Sequence, residues 1–409
     1  MFSLPISSVN LFKNSLVEKK LGQCLTKIPA EIHLDSFEIC EKSYSDRFDS
    51  QDIFKTNFSG PMPFGIFSNK QDVFITLYNV RDISINLKYY SNYINWILNT
   101  STLSINCEQV KGNGTMGDSH KLVIMLKCPL ERNSDVYNEA DVKMVNTNTS
   151  DIVQFTNLPI CNENDNFDSI DLAICTQLAD DHLIRLPEWV EYHRLIGFQR
   201  IYIYVDSPHF SAYKFFMDGY MKRHPNYLIL VPFYFTKSKR PQQATLNDCL
   251  YRLKGKAKYV AFFDVDEFLQ VMNNASLKQY LNETLSREVP VVSILNWQFS
   301  NLKSTYPKFG AGFIDSYHYR TLKPVVKRRH KMIGLSEFIN YVGIHRTSAG
   351  EKMVKSDPNI GVRMIHFRIP PIFEWDDAKK ADEIVEDFSL TKFAPLIRLE
   401  MFLSNFKVS

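Results

Sequence analysis

KYVAFFDVDEFL, residues Lys258–Leu269, is the stretch that decides the fold. Its first half, Tyr259–Asp264, is apolar up to its last residue and rich in aromatic and β-branched side chains. Such a short run is typical of a strand that is buried on both faces. The run ends in three carboxylates among four residues. Carboxylates at the end of a core strand are costly to bury unless a cation or hydrogen bonds satisfy them.

The two aspartates of this stretch are candidate metal ligands. On an extended chain the side chains at positions i and i+2 point the same way, so Asp264 and Asp266 are predicted to hold one ion together. Hard oxygen ligands favour Mn2+ or Mg2+. The alternative is a loop of solvent-exposed acids after the strand, and the neighbouring segments favour the metal site over it.

Length and charge set the broad class of the protein. At 409 residues the chain is too long for one ordinary core, and we expect two domains. The pattern predicts an irregular N-terminal segment over 1–50, a β-rich domain over 51–165 and an α/β domain over 166–409. The net charge of +3 gives no nucleic-acid footprint, so no nucleic acid is expected as a partner.

The region before the α/β domain consists of short runs with strand character. Some alternate apolar and polar residues, as half-buried strands do, and a turn-rich break at 111–117 separates two of them. These features predict a small antiparallel, sandwich-like β domain, which is either a carbohydrate-binding module or a plain structural module. The runs are Val73–Tyr78, Ile83–Leu87, Leu103–Cys107 and Leu122–Leu126.

Cysteines and sequons bear on the compartment. None of the seven cysteines forms a C-x-x-C pair, which argues against a zinc site. Cys107 and Cys128 could bridge two strands of a hairpin in an oxidising compartment. Glycosylation sequons support a secretory location only weakly, because an asparagine-rich chain produces them by accident. They lie at Asn57, Asn99, Asn113, Asn148, Asn274 and Asn282.

Membrane and targeting signals are not visible in the sequence. No stretch reaches the ~18 apolar residues that a membrane helix requires. Met1–Leu16 lacks the basic start and the apolar centre of a signal peptide. We therefore expect either a soluble protein as given or a membrane association through an anchor outside this chain.

After the polar boundary Cys161–Asn166, strands and helices alternate. This alternation predicts a parallel sheet covered by helices, in which ligands bind beyond the carboxyl ends of the strands. Asp206 and the Asp264–Asp266 pair follow such ends and are expected to face one pocket. The predicted strands are Asp171–Cys175, Arg200–Val205, Leu228–Pro232, Tyr259–Asp264, Val291–Leu295, Phe338–Ile344 and Val362–His366. The predicted helices are Leu186–Ile196, Phe210–Arg223 and Gln242–Leu253, with helical patterns from Asp376 and Leu390.

The order of these segments resembles glycosyltransferase family 92, over about Asp171–Arg368. It departs from the family pattern at Ser300, where Gly is usual, and at Phe367, where Tyr is commoner. The matching positions are Glu188–Gly197, Tyr202–Tyr204, Gln242, Asn247, Cys249–Leu250, Arg252, Phe263–Phe268, Trp297–Phe299 and His366–Arg368.

The resemblance implies a GT-A fold, a nucleotide-sugar-binding α/β sheet. Members are similar to inverting galactosyltransferases that use UDP-galactose and Mn2+, with a glycan acceptor and a Golgi or secretory location. It implies that Asp264 and Asp266 bind the metal that bridges the two phosphates of the donor. His366 is the candidate third ligand, and His345 is the alternative.

The remaining candidates concern the proton and the donor. Inversion requires a carboxylate that takes the proton of the acceptor hydroxyl. The resemblance implies Asp315 as the candidate base, because it sits where the family tends to carry an acid, and Glu337 and Glu374 are the alternatives. Glu267 is expected to hold the metal loop in shape. The cluster Arg328–Lys331 could meet phosphates or be a solvated loop. The donor-binding candidates are Thr176, Gln177, Asp206, Gln242, Asn247, Asp264 and Lys323, with Lys327 as an alternative to Lys323.

Two other function classes compete with the transferase. An aspartate-nucleophile phosphatase also places Asp-x-Asp after an apolar strand, but it would have that strand near the domain start, and here three strands precede it. A non-catalytic carbohydrate-binding or adhesion protein is the other class, and the intact Asp264 and Asp266 argue against it.

Overall fold

A computed structural model gives the fold. The residues it describes are 61–68, 72–79, 94–101, 103–109, 123–130, 139–146, 152–162, 170–178, 183, 185–233, 242–272, 276–301, 312–324, 330–343, 345, 347–348, 353–368 and 384–406. The N-terminal segment 1–50, the predicted strand Ile83–Leu87 and the helical pattern from Asp376 lie outside the described residues. So do Lys327, Glu374 and the sequons at Asn57, Asn113, Asn148 and Asn274.

The strands nearest the N-terminus form one eight-stranded sheet, in the order β7-β6-β3-β4-β5-β2-β1-β8. Neighbours are antiparallel except β1 and β8, which are parallel. Ten buried side chains from this region, Val73 and Leu126 among them, form a core of their own. The strands are β1 Pro61–Ser68, β2 Asp72–Asn79, β3 Ile94–Asn99, β4 Ser104–Gln109, β5 Val123–Pro129, β6 Glu139–Asn146, β7 Ile152–Pro159 and β8 Cys161–Asn162.

A disulfide joins Cys107 on β4 to Cys128 on β5. The register places Glu108 opposite Lys127, so the two cysteines face each other across the antiparallel pair. The pairing predicted from the sequence is confirmed. A second disulfide, between Cys175 and Cys249, was not predicted.

The second part of the chain alternates strands and helices as predicted, which makes it a mixed α/β structure. Its first strands and helices are β9 Ile170–Gln177, α1 Leu186–Leu195, β10 Arg200–Asp206, α2 Ser207–Arg223, β11 Leu228–Phe233, α3 Gln242–Leu253 and β12 Ala257–Phe262. The elements after them are β13 Glu267–Val271, α4 Leu277–Thr284, β14 Val291–Ile294, β15 Asn296–Ser300, α5 Gly312–Ser316, β16 Tyr319–Thr321, β17 Lys331–Leu335, β18 Tyr341–Val342, β19 Thr347–Ser348, β20 Met353–Lys355, β21 Val362–Phe367, β22 Ile384–Glu386 and α6 Ala394–Leu403.

The central sheet has seven strands in the order β11-β10-β9-β12-β17-β14-β20. The first four are parallel, and β17 runs antiparallel to β12. The four parallel strands are almost entirely buried, as expected of a sheet covered on both faces. A second, five-stranded sheet has the order β13-β21-β15-β16-β22. It begins at β13, immediately after the acidic stretch.

One predicted strand differs from the structure. The strand predicted at Phe338–Ile344 is a 3-10 turn, Ser336–Phe338, followed by the two-residue β18. In β18 the backbone of Val342 bonds to a side chain rather than to a long neighbouring strand. The Val342 N–H donates to Oδ1 of Asn247, and Nδ2 of Asn247 donates to the Val342 carbonyl. The helical pattern predicted from Leu390 is confirmed, because a 3-10 turn, Thr391–Phe393, follows Leu390 and leads directly into α6, which has a proline in its first turn.

The eight-stranded sheet contacts the α/β part through helix α3. The ring of Phe74 on β2 lies 4.6 Å from that of Tyr251 on α3, and the ammonium of Lys254 lies over both rings. Met125 of β5 belongs to the same buried cluster as the α3 side chains. The domain boundaries themselves stay a prediction. Within the described ranges, no helix combines the length and apolar character that crossing a membrane requires.

Candidate active site

Polar side chains gather where the parallel strands β9, β10 and β12 end. Thr176 and Gln177 close β9, Asp206 closes β10, and Asp264 follows β12. Gln177 accepts a hydrogen bond from Thr245 at 3.2 Å. Oγ1 of Thr176 and Oδ1 of Asp206 are buried and have no hydrogen-bond partner among the described residues. Because such atoms are rarely left unpaired, this edge is suited to a polar ligand.

The acidic stretch is a turn and not an extended chain. Strand β12 ends at Phe262, two residues before Asp264. The Glu267 N–H donates to the Asp264 carbonyl at 3.0 Å, and the Asp264 N–H donates to Oε2 of Glu267 at 2.9 Å. The expectation that Asp264 and Asp266 lie on an extended strand is therefore wrong. Glu267 holds this turn in shape, as the sequence predicted.

Asp264 is engaged at both carboxylate oxygens. Gln242, the first residue of α3, donates to Oδ1 at 2.8 Å. The Lys331 ammonium donates to Oδ2 at 2.6 Å and lies 3.0 Å from Oε2 of Glu267. Only 2% of the Lys331 side chain is exposed. Burial alone would lower the pKa of Lys331, but the two carboxylates raise it above its usual value, so the lysine is charged.

Asp266 has different partners. Its Oδ2 lies 3.0 Å from Nε2 of His366 and 3.6 Å from the guanidinium of Arg185. His366 stands opposite Glu267 in the antiparallel pair of β21 and β13, which explains why residues 100 positions apart meet. Burial lowers the pKa of His366, but the Asp266 carboxylate raises it more, so the net shift is upward. Nδ1 of His366 is buried without a partner among the described residues.

The predicted metal ligands fit a cation in part. A carboxylate with an imidazole suits Mn2+ chemically. Two neighbouring ligand atoms around a cation of this size lie roughly 3 Å apart, which agrees with the 3.0 Å between Asp266 Oδ2 and His366 Nε2. Asp264, however, is bound to Gln242 and Lys331. Among the described residues, no three His, Cys, Asp or Glu side chains are grouped closely enough to hold a metal.

Helix α5, which carries the predicted base, is fixed to the start of α1. The Glu188 carboxylate accepts hydrogen bonds from the N–H groups of Phe313 and Ile314 at 3.1 and 2.8 Å. The Arg185 guanidinium lies 4.6 Å above the Phe313 ring. Burial raises the pKa of Glu188 to about 7. Arg185 thus connects Asp266 with the helix of Asp315.

Asp315 itself forms an ion pair with Arg398 of α6, and 38% of its side chain is exposed. Its role as base stays a prediction. Glu337 is badly placed for that role, because it follows the end of β17 that lies beside the start of β12. That is the opposite end of the sheet from Asp264.

Three other predicted residues lie in different surroundings. Asn247 is fully buried, and its amide bonds the backbone of Gln243 and Val342. Asn247 was predicted to contact the donor. The structure instead gives it a structural role, because both the nitrogen and the oxygen of its amide are bonded to the backbone. Lys323 lies in the exposed turn after β16, and His345 is half-buried near β19.

Two residues at the site were missed by sequence reasoning: Lys331 and Arg185. Lys331 belongs to the basic cluster that could equally be a solvated loop, and its signal was the apolar run Met332–Ile333 directly after it. That run predicts a strand, which would bury the preceding lysine. Arg185 carried no comparable signal, since it contacts Asp266 only through the tertiary fold.

The family comparison gives one clear match. A model described as glycosyltransferase family 92 matches residues 170–394, more than half of the chain. The beta-1,4-galactosyltransferase galt-1 of Caenorhabditis elegans is 26% identical over 250 residues, which are 56% of this chain and 57% of that protein. The galactan beta-1,4-galactosyltransferase GALS3 of Arabidopsis thaliana is 29% identical over 129 residues, 30% of this chain and 25% of that protein. The chain thus spans only part of the length of these relatives.

Two solved structures of glycosyltransferases are weakly similar. The mannosyltransferase PcManGT from Pyrobaculum calidifontis, solved with GDP-Man and Mn2+, matches at 11% identity and a TM-score of 0.30, over 58% of this chain and 70% of that one. The bifunctional WbbM apo structure matches at 15% identity and a TM-score of 0.21, over 34% and 27%. At these scores neither superposition identifies the fold.

Proposed function

The chain belongs to glycosyltransferase family 92, and from that premise we propose that it is a metal-dependent inverting hexosyltransferase. The donor is a UDP-sugar, with galactose as the sugar suggested by the names of the relatives. The acceptor is a hydroxyl of a glycan. The observation that carries the proposal is the turn after β12, which brings Asp266 within 3.0 Å of His366 at the edge where the parallel strands end.

Asp266 and His366 would hold the cation, Mn2+ or Mg2+, and Asp264 would complete the site through Oδ1 by exchanging its bond from Gln242, while Lys331 still holds Oδ2. When bound, the cation neutralises the charge that gathers on the departing diphosphate. Nε2 of His366 is the ring nitrogen that would face the cation, because it is the one that lies beside Asp266.

The donor nucleotide would lie along the ends of β9 and β10, in the arrangement of a GT-A sheet. Thr176 and Asp206 support this placement, because each offers a buried polar atom that lacks a partner among the described residues. Gln177 and Gln242 line the same edge, next to Thr245 and Asp264 respectively. Lys323 is the proposed contact to the diphosphate.

Asp315 is the proposed base. In an inverting transfer, the acceptor oxygen forms its bond to the anomeric carbon as the bond to the diphosphate breaks, and the acceptor proton passes to a carboxylate. Asp315 would have to leave Arg398 to do this. The partly exposed position of that ion pair makes the exchange inexpensive.

A secretory or Golgi lumen is the proposed location. Two disulfides, one in each part of the chain, support it, since disulfides persist in oxidising compartments.

The test is release of UDP from a panel of UDP-sugars with Mn2+, with Mg2+ and with a chelator. We expect metal-dependent release that is fastest with UDP-galactose and that a glycan acceptor stimulates. Binding of glycans with no response to any nucleotide would instead favour the carbohydrate-binding reading.

A further inference from the structure

Lys331 is a buried lysine beside Asp264, and the pairing of two strands explains its position. Strand β17 begins at Lys331 and runs antiparallel to β12, with Met332 opposite Phe262. The lysine therefore stands beside the residues that follow β12. Its ammonium reaches Asp264 at 2.6 Å and Glu267 at 3.0 Å.

A lysine is almost never this buried unless it is paired. Only 2% of the Lys331 side chain is exposed, and its ammonium is paired with Asp264 and Glu267, so it offers little surface to a ligand. A phosphate ligand would need the lysine at the surface, as the basic cluster in the sequence suggested. In the structure this lysine instead contacts the carboxylates of Asp264 and Glu267.

Two donors from two different elements fix the Asp264 carboxylate. Gln242 of α3 holds Oδ1, and Lys331 of β17 holds Oδ2. Rotation of the carboxylate would break one of these bonds. The same ammonium contacts Glu267, whose Oε2 accepts from the Asp264 N–H and so closes the turn that carries Asp266.

We propose that Lys331 is a positioning residue of the donor site, which holds Asp264 in one orientation and stabilises the turn that presents Asp266. The inference rests on the proposed function, because it assigns Lys331 to the same donor site. It differs from a purely structural role, in which the lysine would only offset the charge of the buried Glu267.

The first test is independent of activity. Crystal structures of the wild type and of Lys331→Met, both without ligands, would show the orientation of Asp264. We expect Asp264 in K331M to occupy more than one orientation and to lose its bond with Gln242 in at least one of them. An Asp264 carboxylate in the wild-type position, with the Gln242 bond kept, would overturn the proposal.

The second test is kinetic and uses UDP-galactose with Mn2+. Loss of a hydrogen bond to a charged group is worth roughly tenfold to a hundredfold in affinity, so K331M should raise the KM for the donor by that factor while kcat changes by less than about threefold. In K331M the buried Glu267 carboxylate loses its paired cation, and the double variant K331M/E267Q removes that unpaired charge. We expect it to recover the melting temperature while the raised KM persists. Recovery of the wild-type KM in the double variant would mean that the lysine only compensates Glu267.

Arg252→Met is the matched control. Arg252 is also buried and pairs at 2.6 Å with a buried carboxylate, Asp248, at the far end of α3 from Gln242. R252M should lower the melting temperature without raising the KM. If the wild type releases UDP from no UDP-sugar, the proposed function fails, and the ligand-free structure of K331M still decides whether Lys331 positions Asp264.

Discussion

Among single residues, Glu188 gives the clearest prediction of how the stability of the protein depends on pH. It is buried in the first turn of α1 and accepts two backbone hydrogen bonds from α5. Burial raises its pKa from 4.5 to about 7 in the folded protein. Between these values the folded state binds one proton more than the unfolded state. The free energy of unfolding therefore falls as the pH rises from about 4.5 to about 7.

Glu188→Gln removes this dependence, because the amide does not titrate. A shift from 4.5 to about 7 corresponds to about 3 kcal/mol at 1.36 kcal/mol per pH unit. We expect the stability of E188Q relative to the wild type to improve by up to that amount between pH 5 and pH 8. Urea denaturation at several pH values measures it, with the exposed Glu283→Gln as control. Parallel pH profiles of wild type and E188Q would contradict the assignment.

At the scale of elements, the Cys175–Cys249 disulfide ties the end of β9 to α3. Helix α3 also carries Gln242, which bonds Asp264. The disulfide closes a 74-residue separation, and the Cys107–Cys128 disulfide closes one of 21. In the chain-entropy account these are worth about 4 and about 3 kcal/mol of stability respectively.

Replacing either pair by alanine should thus lower the free energy of unfolding by a few kcal/mol, as measured by urea denaturation without reductant. Only C175A/C249A should also raise the KM for the donor, because that pair is bonded directly to the helix of Gln242, whereas the other pair lies within the eight-stranded sheet. The C107A/C128A variant is the matched control. An equal change of KM in both variants would refute the link between α3 and the site.

The strand and helix order was predictable where the periodicity was long. Helix α3 has the bounds that the sequence predicts, and the strands of the parallel sheet agree to within two residues. The turn after β12 was not predictable, because whether Asp264 continues a strand depends on its bond to Glu267 and on Lys331 arriving from β17. The short β18 was missed for the same kind of reason, since Asn247 pairs with its backbone.

For the whole molecule, the eight-stranded sheet supports the helix that carries Gln242. Phe74 of β2 packs against Tyr251 of α3, and the same contact covers Lys254, whose pKa burial lowers to about 8. A freely tethered carbohydrate-binding module would not make such contacts. The sheet is therefore not freely tethered but packs on the α/β part through α3.

Phe74→Ala tests this contact. Removing a half-buried ring should lower the free energy of unfolding by about 2 kcal/mol, since the packing against Tyr251 is lost. Phe402→Ala is the control, because 81% of Phe402 is exposed and its loss should change stability by less than about 0.5 kcal/mol. Chemical denaturation measures the free energy of unfolding of both variants. A Phe74→Ala variant as stable as Phe402→Ala would argue that the sheet and the α/β part are only loosely associated.

The most direct test of the central claim is titration of the protein with Mn2+ in the presence of UDP, followed by electron paramagnetic resonance of the free ion. The wild type should bind Mn2+. Asp266→Asn and His366→Ala should each weaken that binding by at least about tenfold, while the exposed Asp218→Asn should not. Binding of Mn2+ by D266N and H366A as tight as that of the wild type would contradict a cation held by Asp266 and His366 at the end of the parallel strands.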